Sequence, residues 1–337
     1  MPKRRLILAA IVAIAAVLLF ATPVLASAQF PDVPSTYPYS SAINDLAARS
    51  VIGGYANGNY GPDDLVTRQQ FAKMIVKTLG LSVTGSEVCP FVDVSADATG
   101  TDAFYPAKYV AVCAMNNITK GIDATHFSPG ANIRRSQVIS MIVRAADNLA
   151  PGILWVPDAT WTGVLAYDDP THGANIKKAE FNNLLAWIVG PDGTLKTWNA
   201  DGYATRGEIA ELLHNLRLAK LPALEAGALL RVIKANGSAI QFTLAQLQAL
   251  PSGSIAVDGK TEDGALISAL LEAAGVKHFD RIMLTGSKGP VTVNVLTTAQ
   301  VDNQCILDFT NQNTVKVATP AIDKADWAKD IFVVEVF

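Results

Sequence analysis

One stretch, written three times, limits what this chain can fold into more than any other feature. Tyr60-Gly-Pro-Asp-Asp-Leu-Val-Thr-Arg-Gln-Gln-Phe-Ala-Lys-Met-Ile75 recurs as Phe127-Ser-Pro-Gly-Ala-Asn-Ile-Arg-Arg-Ser-Gln-Val-Ile-Ser-Met-Ile142, and more loosely as Asn199-Ala-Asp-Gly-Tyr-Ala-Thr-Arg-Gly-Glu-Ile-Ala-Glu-Leu-Leu213. The alignment sets Arg68, Arg135 and Arg206 in register, 67 and then 71 residues apart. A period of that length means tandem copies of one supersecondary unit that bury their apolar faces together.

Each copy runs from a Gly/Pro loop into a helix. Thr67 with Gln70, and Thr205 with Glu208, have capping-box spacing. Apolar residues then recur at helical intervals: Phe71, Met74, Ile75 and Leu79; Val138, Met141 and Ile142; Ile209, Leu212, Leu213 and Leu216. The second copy lacks the capping hydroxyl, because Arg134 stands in its place. An arginine directly after the cap opposes the helix dipole at a cost of roughly 0.3–1 kcal/mol. Three such arginines point to a task. They either hold an anionic ligand beside free helix N–H groups, a carboxylate above all, or pair with an Asp of the same repeat.

Ahead of each stretch lies another repeated element. Phe30-Pro-Asp-Val33 returns as Phe91-Val-Asp-Val94 and loosely as Tyr167-Asp-Asp-Pro170. The following helical pattern ends in Val51-Ile-Gly-Gly54 and in Ile118-Thr-Lys-Gly121, where glycine fits a left-handed cap. Each unit therefore reads as helix, Gly-rich loop, capped helix. Phe-x-Asp-Val, a helix ending in Ile-x-x-Gly, Phe/Tyr-x-Pro and Thr-Arg-x-Gln/Glu, in that order, resemble the S-layer homology (SLH) module over about residues 29–220. His172 to Leu185 looks like the first helix of the third, degenerate copy. The resemblance implies three modules, 29–86, 87–150 and 151–220, folded as a pseudo-threefold helical bundle. It implies grooves for secondary cell-wall polysaccharide, often pyruvylated. Arg68, Arg135 and Arg206 would pair with the ketal carboxylate or sugar hydroxyls. Gly54 and Gly121 would let the backbone approach the sugar, and Asp32 and Asp93 would orient the groove or accept from sugar hydroxyls.

The N-terminus has the form of an export signal over 1–28: basic Lys3, Arg4 and Arg5, an apolar run from Leu6 to Phe20, and a small-residue site at Ala26-Ser27-Ala28. Net charge is −3; losing those three basic residues leaves 24 Lys+Arg against 30 Asp+Glu, a net of −6. No basic stripe interleaved with aromatics speaks for nucleic acid, and no later segment is long and apolar enough to span a bilayer. Export permits disulfides. Cys89 and Cys113 share a repeat and form either a bridge or two buried thiols, with Cys305 left over. His126, His172, His214 and His278 are scattered, with no metal-ligand spacing.

After a connection at 221–228 the periodicity changes. Strands are expected at Leu229–Ala235, Ser254–Val257, Arg281–Leu284, Val291–Val295, Ile306–Phe309, Val315–Ala318 and Ile331–Phe337, with helices after Thr243 and over Asp263–Ala274. The fold class is thus multidomain: an all-α SLH pseudo-trimer followed by an α+β mixed-sheet domain, 229–337. Phe242-Thr-Leu-x-x-Leu-x-x-Leu-Pro251, Gly264-x-Leu-x-x-x-Leu-Leu-x-x-x-Gly275 and Trp327-x-x-x-Ile-x-Val-x-Glu335 are similar to the sulfite-oxidase-type molybdopterin-binding fold. Cys305 begins a buried-strand pattern and does not match that family's metal-ligand cysteine, so a cofactor-free domain is expected. No Gly-x-Ser-x-Gly, His-Glu-x-x-His or phosphate loop occurs. The expectation is a secreted, non-enzymatic surface protein held to wall polysaccharide, displaying a C-terminal binding domain. The alternative is a wall-anchored enzyme with redox or hydrolytic chemistry in that domain.

Overall fold

The computed structural model describes residues 30–95, 102–221, 223–288 and 293–337; the expected export signal lies outside the described residues. A helical region comes first, with α1 Ser40–Ala48, α2 Arg68–Leu79, α3 Ala107–Met115, α4 Arg135–Leu149, α5 Gly173–Phe181 and α6 Arg206–Ala219. Both expected capping boxes form, Thr67 with Gln70 and Thr205 with Glu208. At α4 only half a box exists. Gln137 accepts from the Arg134 N–H at 3.1 Å, but the guanidinium has no lone pair to return the bond. The Arg134 side chain instead donates to the Asp201 carbonyl at 2.6 Å.

The repeats do not close as separate helical hairpins. The first helix of each unit packs on the second helix of the preceding one: α3 on α2, α5 on α4, and α1 on α6, which joins the last repeat to the first. The axis of this ring carries a cycle of three backbone bonds: Ile133 N–H to Val66 O at 2.8 Å, Ala204 N–H to Ile133 O at 3.0 Å, and Val66 N–H to Ala204 O at 3.3 Å. One continuous apolar core results, containing Phe71, Ile75, Val138, Ile142, Ile209 and Leu213. No unit buries its apolar face alone, the physical reason the repeat comes as a set.

The first helices end differently from expectation. The left-handed residue is Ser50 after α1, Asn117 after α3 and Asn183 after α5, each two residues past the helix. Gly54 and Gly121 lie further on; Gly121 is also left-handed, with φ +74°, and both are small because of what surrounds them. A Cβ on Gly54 would stand 2.7 Å from Asn59 O and 2.8 Å from Phe30 Cε1. On Gly121 it would stand 2.4 Å from Asp123 O and 2.5 Å from Phe91 Cε1.

A mixed sheet follows. Its strands are β1 Ala228–Ile233, β2 Ala239–Thr243, β3 Ser252–Val257, β4 Lys260–Leu266, β5 Arg281–Lys288, β6 Val293–Thr297, β7 Ile306–Phe309, β8 Val315–Ala318 and β9 Lys329–Val336. The main path runs β2-β1-β9-β8-β7-β4-β3, and β5 joins β6 to β9. Of these pairings, β1 with β9 is parallel. Helix α7, Leu244–Gln248, starts at Thr243 with a capping box, as expected. The helix expected over Asp263–Ala274 is a correction: Lys260–Leu266 is a strand paired with β3 and β7, and α8 spans only Ile267–Ala273. The cause is Asp258-Gly259, both at positive φ, a two-residue hairpin turn. Gly264 then pairs with Gly253 of β3 and Asp308 of β7, and a Cβ there would stand 2.0 Å from Leu307 O.

The two regions touch. Ala48 packs with Met283 and Val293, and Glu335 of β9 accepts from both Arg49 and Arg217 of the helical region. Beneath them Asp45, fully buried, accepts from Arg49 Nε at 2.6 Å, Arg217 Nε at 2.9 Å and His214 Nδ1 at 2.5 Å. Burial alone would raise the Asp45 pKa; the fields of Arg217, His214 and Arg49 outweigh it and hold the carboxylate well below its ordinary range.

Candidate carbohydrate-binding site

The three registered arginines occupy equivalent places, each reaching into the loop of another repeat. Arg68 Nε donates to Phe127 O at 2.6 Å with its guanidinium 4.6 Å from the Phe127 ring centroid. Arg206 Nε donates to Tyr60 O at 2.9 Å with its guanidinium 4.3 Å from that ring. Arg135 Nη1 donates to Asn199 O at 2.9 Å and stacks 5.2 Å from Trp198. Trp198 therefore fills the aromatic position of the third repeat. Sequence reading passed over it, although Tyr60, Phe127 and Trp198 all lie eight residues before their unit's arginine.

The helix N–H groups beside these arginines are not free, a correction to one premise of the ligand reading. Arg68 N–H bonds Ala131 O, Arg135 N–H bonds Gly202 O and Arg206 N–H bonds Asp64 O, each at 2.9 Å. Loop carbonyls of the next repeat thus quench the helix ends, and they offset the cost of a cation there. Asp32 and Asp93 do similar structural work. Asp32 accepts from Tyr60 N–H at 2.8 Å and Gly61 N–H at 2.7 Å; Asp93 accepts from Phe127 N–H and Ser128 N–H, both at 2.8 Å. For Asp32, desolvation pushes the pKa up, but those two amides and Arg206 prevail and lower it. Both carboxylates shape the loop from inside the unit.

Beyond these shared contacts the arginines diverge. Arg135 is locked to Glu208 by Nε at 3.0 Å and Nη2 at 2.6 Å, and Glu208 also accepts from Trp198 Nε1 at 2.8 Å. Arg206 gives a second bond to Gly53 O at 2.8 Å and also stacks 5.0 Å from the exposed Tyr55 ring. Arg68 has no carboxylate within ion-pair distance among the described residues. It lines a cleft of about 360 Å³ together with Lys120, Gly121, Gln137, Arg144 and His172. Thr119, Thr171, Ile122 and Met141 complete the wall, which contains no acidic side chain. Arg144 likewise has no ion-pair partner among the described residues. Burial depresses the pKa of Arg68 and Arg144, yet a guanidinium stays charged throughout the accessible range. His172 is held by Ser140 Oγ at 2.7 Å, and burial, opposed by Asp169 and assisted by Arg144, lowers its pKa. Sequence reasoning missed Arg144. Its spacing of nine residues after Arg135 puts it on the opposite side of α4, outside the repeat signal.

Cys89 and Cys113 are not bridged. Both carry free thiols, as does Cys305. Burial raises the pKa of all three, that of Cys305 to about 12.

The S-layer homology domain family matches residues 29–72 and 96–139. The chain carries S-layer homology domains. Relatives agree with the SLH match. The "Middle cell wall protein" of Brevibacillus brevis is 29% identical over 194 residues, 56% of this chain and 16% of that protein. The "S-layer protein" of Bacillus licheniformis is 29% identical over 195 residues, 57% of this chain and 20% of its own length. The chain thus spans a fifth or less of the length of these relatives. The match places it with secreted cell-wall and cell-surface proteins. The solved sulfane dehydrogenase SoxCD from Paracoccus pantotrophus overlays with TM-score 0.27 and 15% identity over 34% of this chain and 40% of that one, too little to argue a shared fold. Among the described residues no helix is long and apolar enough to cross a membrane, and no group of three or more His, Cys, Asp or Glu could hold a metal.

Proposed function

We propose that residues 29–220 form an SLH pseudo-trimer, its third module degenerate, that anchors the protein to an acidic, pyruvylated wall polysaccharide. The cleft between Arg68 and Arg144 is the principal groove. The observation that carries this reading is the charge of that cleft: two guanidinium groups and Lys120, with no carboxylate in the wall. A ketal carboxylate between the two arginines would make charge-assisted bonds. The side chains of Gln137, Thr119 and Thr171 suit sugar hydroxyls, and Ile122 and Met141 suit a ring face. Gly121 also lines the groove, so its missing side chain serves the loop packing and leaves room for ligand. The Arg135 position is committed to Glu208 and serves cohesion of the trimer. Arg206, between Tyr55 and Tyr60, is a weaker second groove, and linking it to the first would add avidity when one polymer spans both. The sheet region is displayed by this anchor as a non-catalytic binding domain without a cofactor.

Sedimentation with purified wall sacculi tests the reading. Arg144→Gln removes the charge at a residue with no ion-pair partner, so it leaves the fold intact. At least a tenfold loss of affinity is expected; unchanged affinity rejects the groove.

A further inference from the structure

A second cationic cleft lies between the helical region and the sheet, about 700 Å³ in volume. Its wall carries six cations, Arg49, Lys77, Arg217, Lys220, Arg231 and Arg281, against one carboxylate, Glu335. Glu335 and the underlying Asp45 are already taken by Arg49 and Arg217. Lys77, Lys220 and Arg281 have no carboxylate within ion-pair distance among the described residues. Two guanidinium nitrogens, Arg217 Nη2 and Arg281 Nε, are buried without an acceptor among the described residues. An excess of like charge in a cleft, with buried donors unused, raises the local concentration of anions and lacks one acceptor group to complete it. Val51, Leu79, Ile233 and Phe337 give the same cleft an apolar side.

We propose that this cleft binds a phosphate dianion, either the free ion or the phosphate group of an organic monoester. A single carboxylate would neutralise one of the surplus charges. A phosphate dianion neutralises two and presents oxygens to guanidinium groups from both regions at once. Because Arg217 lies in α6 and Lys220 directly follows it, while Arg231 lies in β1 and Arg281 in β5, the ligand would bridge the two regions. Binding to the folded state alone would raise the stability of their docking by mass action. The site is separate from the Arg68–Arg144 groove and shares no residue with it.

Isothermal titration of the full chain with inorganic phosphate and with glucose 1-phosphate, against acetate at matched ionic strength, tests it. Saturable one-to-one binding is expected for both phosphates and not for acetate. A sugar phosphate at least fivefold tighter than the free ion assigns the site to organic phosphates; equal affinity assigns it to the ion. The Lys77→Gln/Lys220→Gln double variant, which removes no side-chain hydrogen bond among those described, is expected to weaken both at least tenfold with an unchanged circular dichroism spectrum. Absence of saturable binding, equal binding of acetate, or full binding by the double variant would overturn the proposal. Loss through Arg144→Gln in its place would do the same, because it would move the anion to the other cleft.

Discussion

Glu211, in α6, is a buried acid whose replacement should stabilise the protein in a pH-dependent way. It is 4% exposed, and burial, helped by the charge of Asp45, pushes its pKa from 4.5 up to about 8 against an opposing hydrogen bond from Asn215. The sign follows from proton counting. Between roughly pH 4.5 and 8 the folded chain keeps the proton and the unfolded chain has lost it, so the contribution of Glu211 to stability falls as pH rises through that window. A shift of about 3.5 units at 1.36 kcal/mol each corresponds to roughly 5 kcal/mol by pH 8. Glu211→Gln keeps the shape and cannot ionise. Its gain over the parent should be near zero at pH 4.5, about half the full value near pH 6.3, and several kcal/mol at pH 8. Equilibrium urea unfolding at stepped pH measures this directly. A difference that stays flat with pH, or a variant less stable at pH 8, would refute the burial argument. Asp45, present in both chains, drops out of the comparison to first order.

Other consequences are more local. Arg135→Ala should cost about 3–5 kcal/mol in chemical denaturation, because it strands the buried Glu208 carboxylate; a loss below 1 kcal/mol would mean the pair contributes no cohesion. Gly121→Ala should destabilise by more than about 1 kcal/mol, given its φ of +74° and the contacts waiting for a Cβ; a neutral thermal melt would contradict the packing described. Maleimide labelling of the native protein should modify Cys89 well before Cys113 and Cys305, the last two reacting only on unfolding. One free thiol rather than three, counted in the unfolded and unreduced protein, would instead restore the Cys89–Cys113 bridge.

Legibility in the sequence followed the range over which each determinant acts. Capping boxes at Thr67 and Thr205 were readable because they are satisfied within four residues. The register of Arg68, Arg135 and Arg206 was readable because duplication preserved it. Their partners were not. Arg68 bonds Phe127 and Arg206 bonds Tyr60, so each guanidinium looks across to another repeat, a relation that no local spacing reports. Glu208 illustrates the same limit: its role as a capping residue was legible, while its pairing with Arg135 required the ring of helices to close. The strand Lys260–Leu266 was hidden because Gly264, Leu266 and Leu270 mimic a helical stripe. The Asp258-Gly259 turn was the stronger local signal and was passed over. Arg144, Lys77, Lys220 and Arg281 carry no motif; they matter only because folding leaves them with no carboxylate within ion-pair distance among the described residues.

Diffraction from crystals of the full chain soaked with a pyruvylated N-acetylhexosamine bears most directly on the anchoring claim. The ketal carboxylate should lie within about 3 Å of the Arg68 and Arg144 guanidinium nitrogens, with the sugar ring against Ile122 and Met141. Density for the sugar elsewhere, with that cleft unoccupied at saturating ligand, would contradict it.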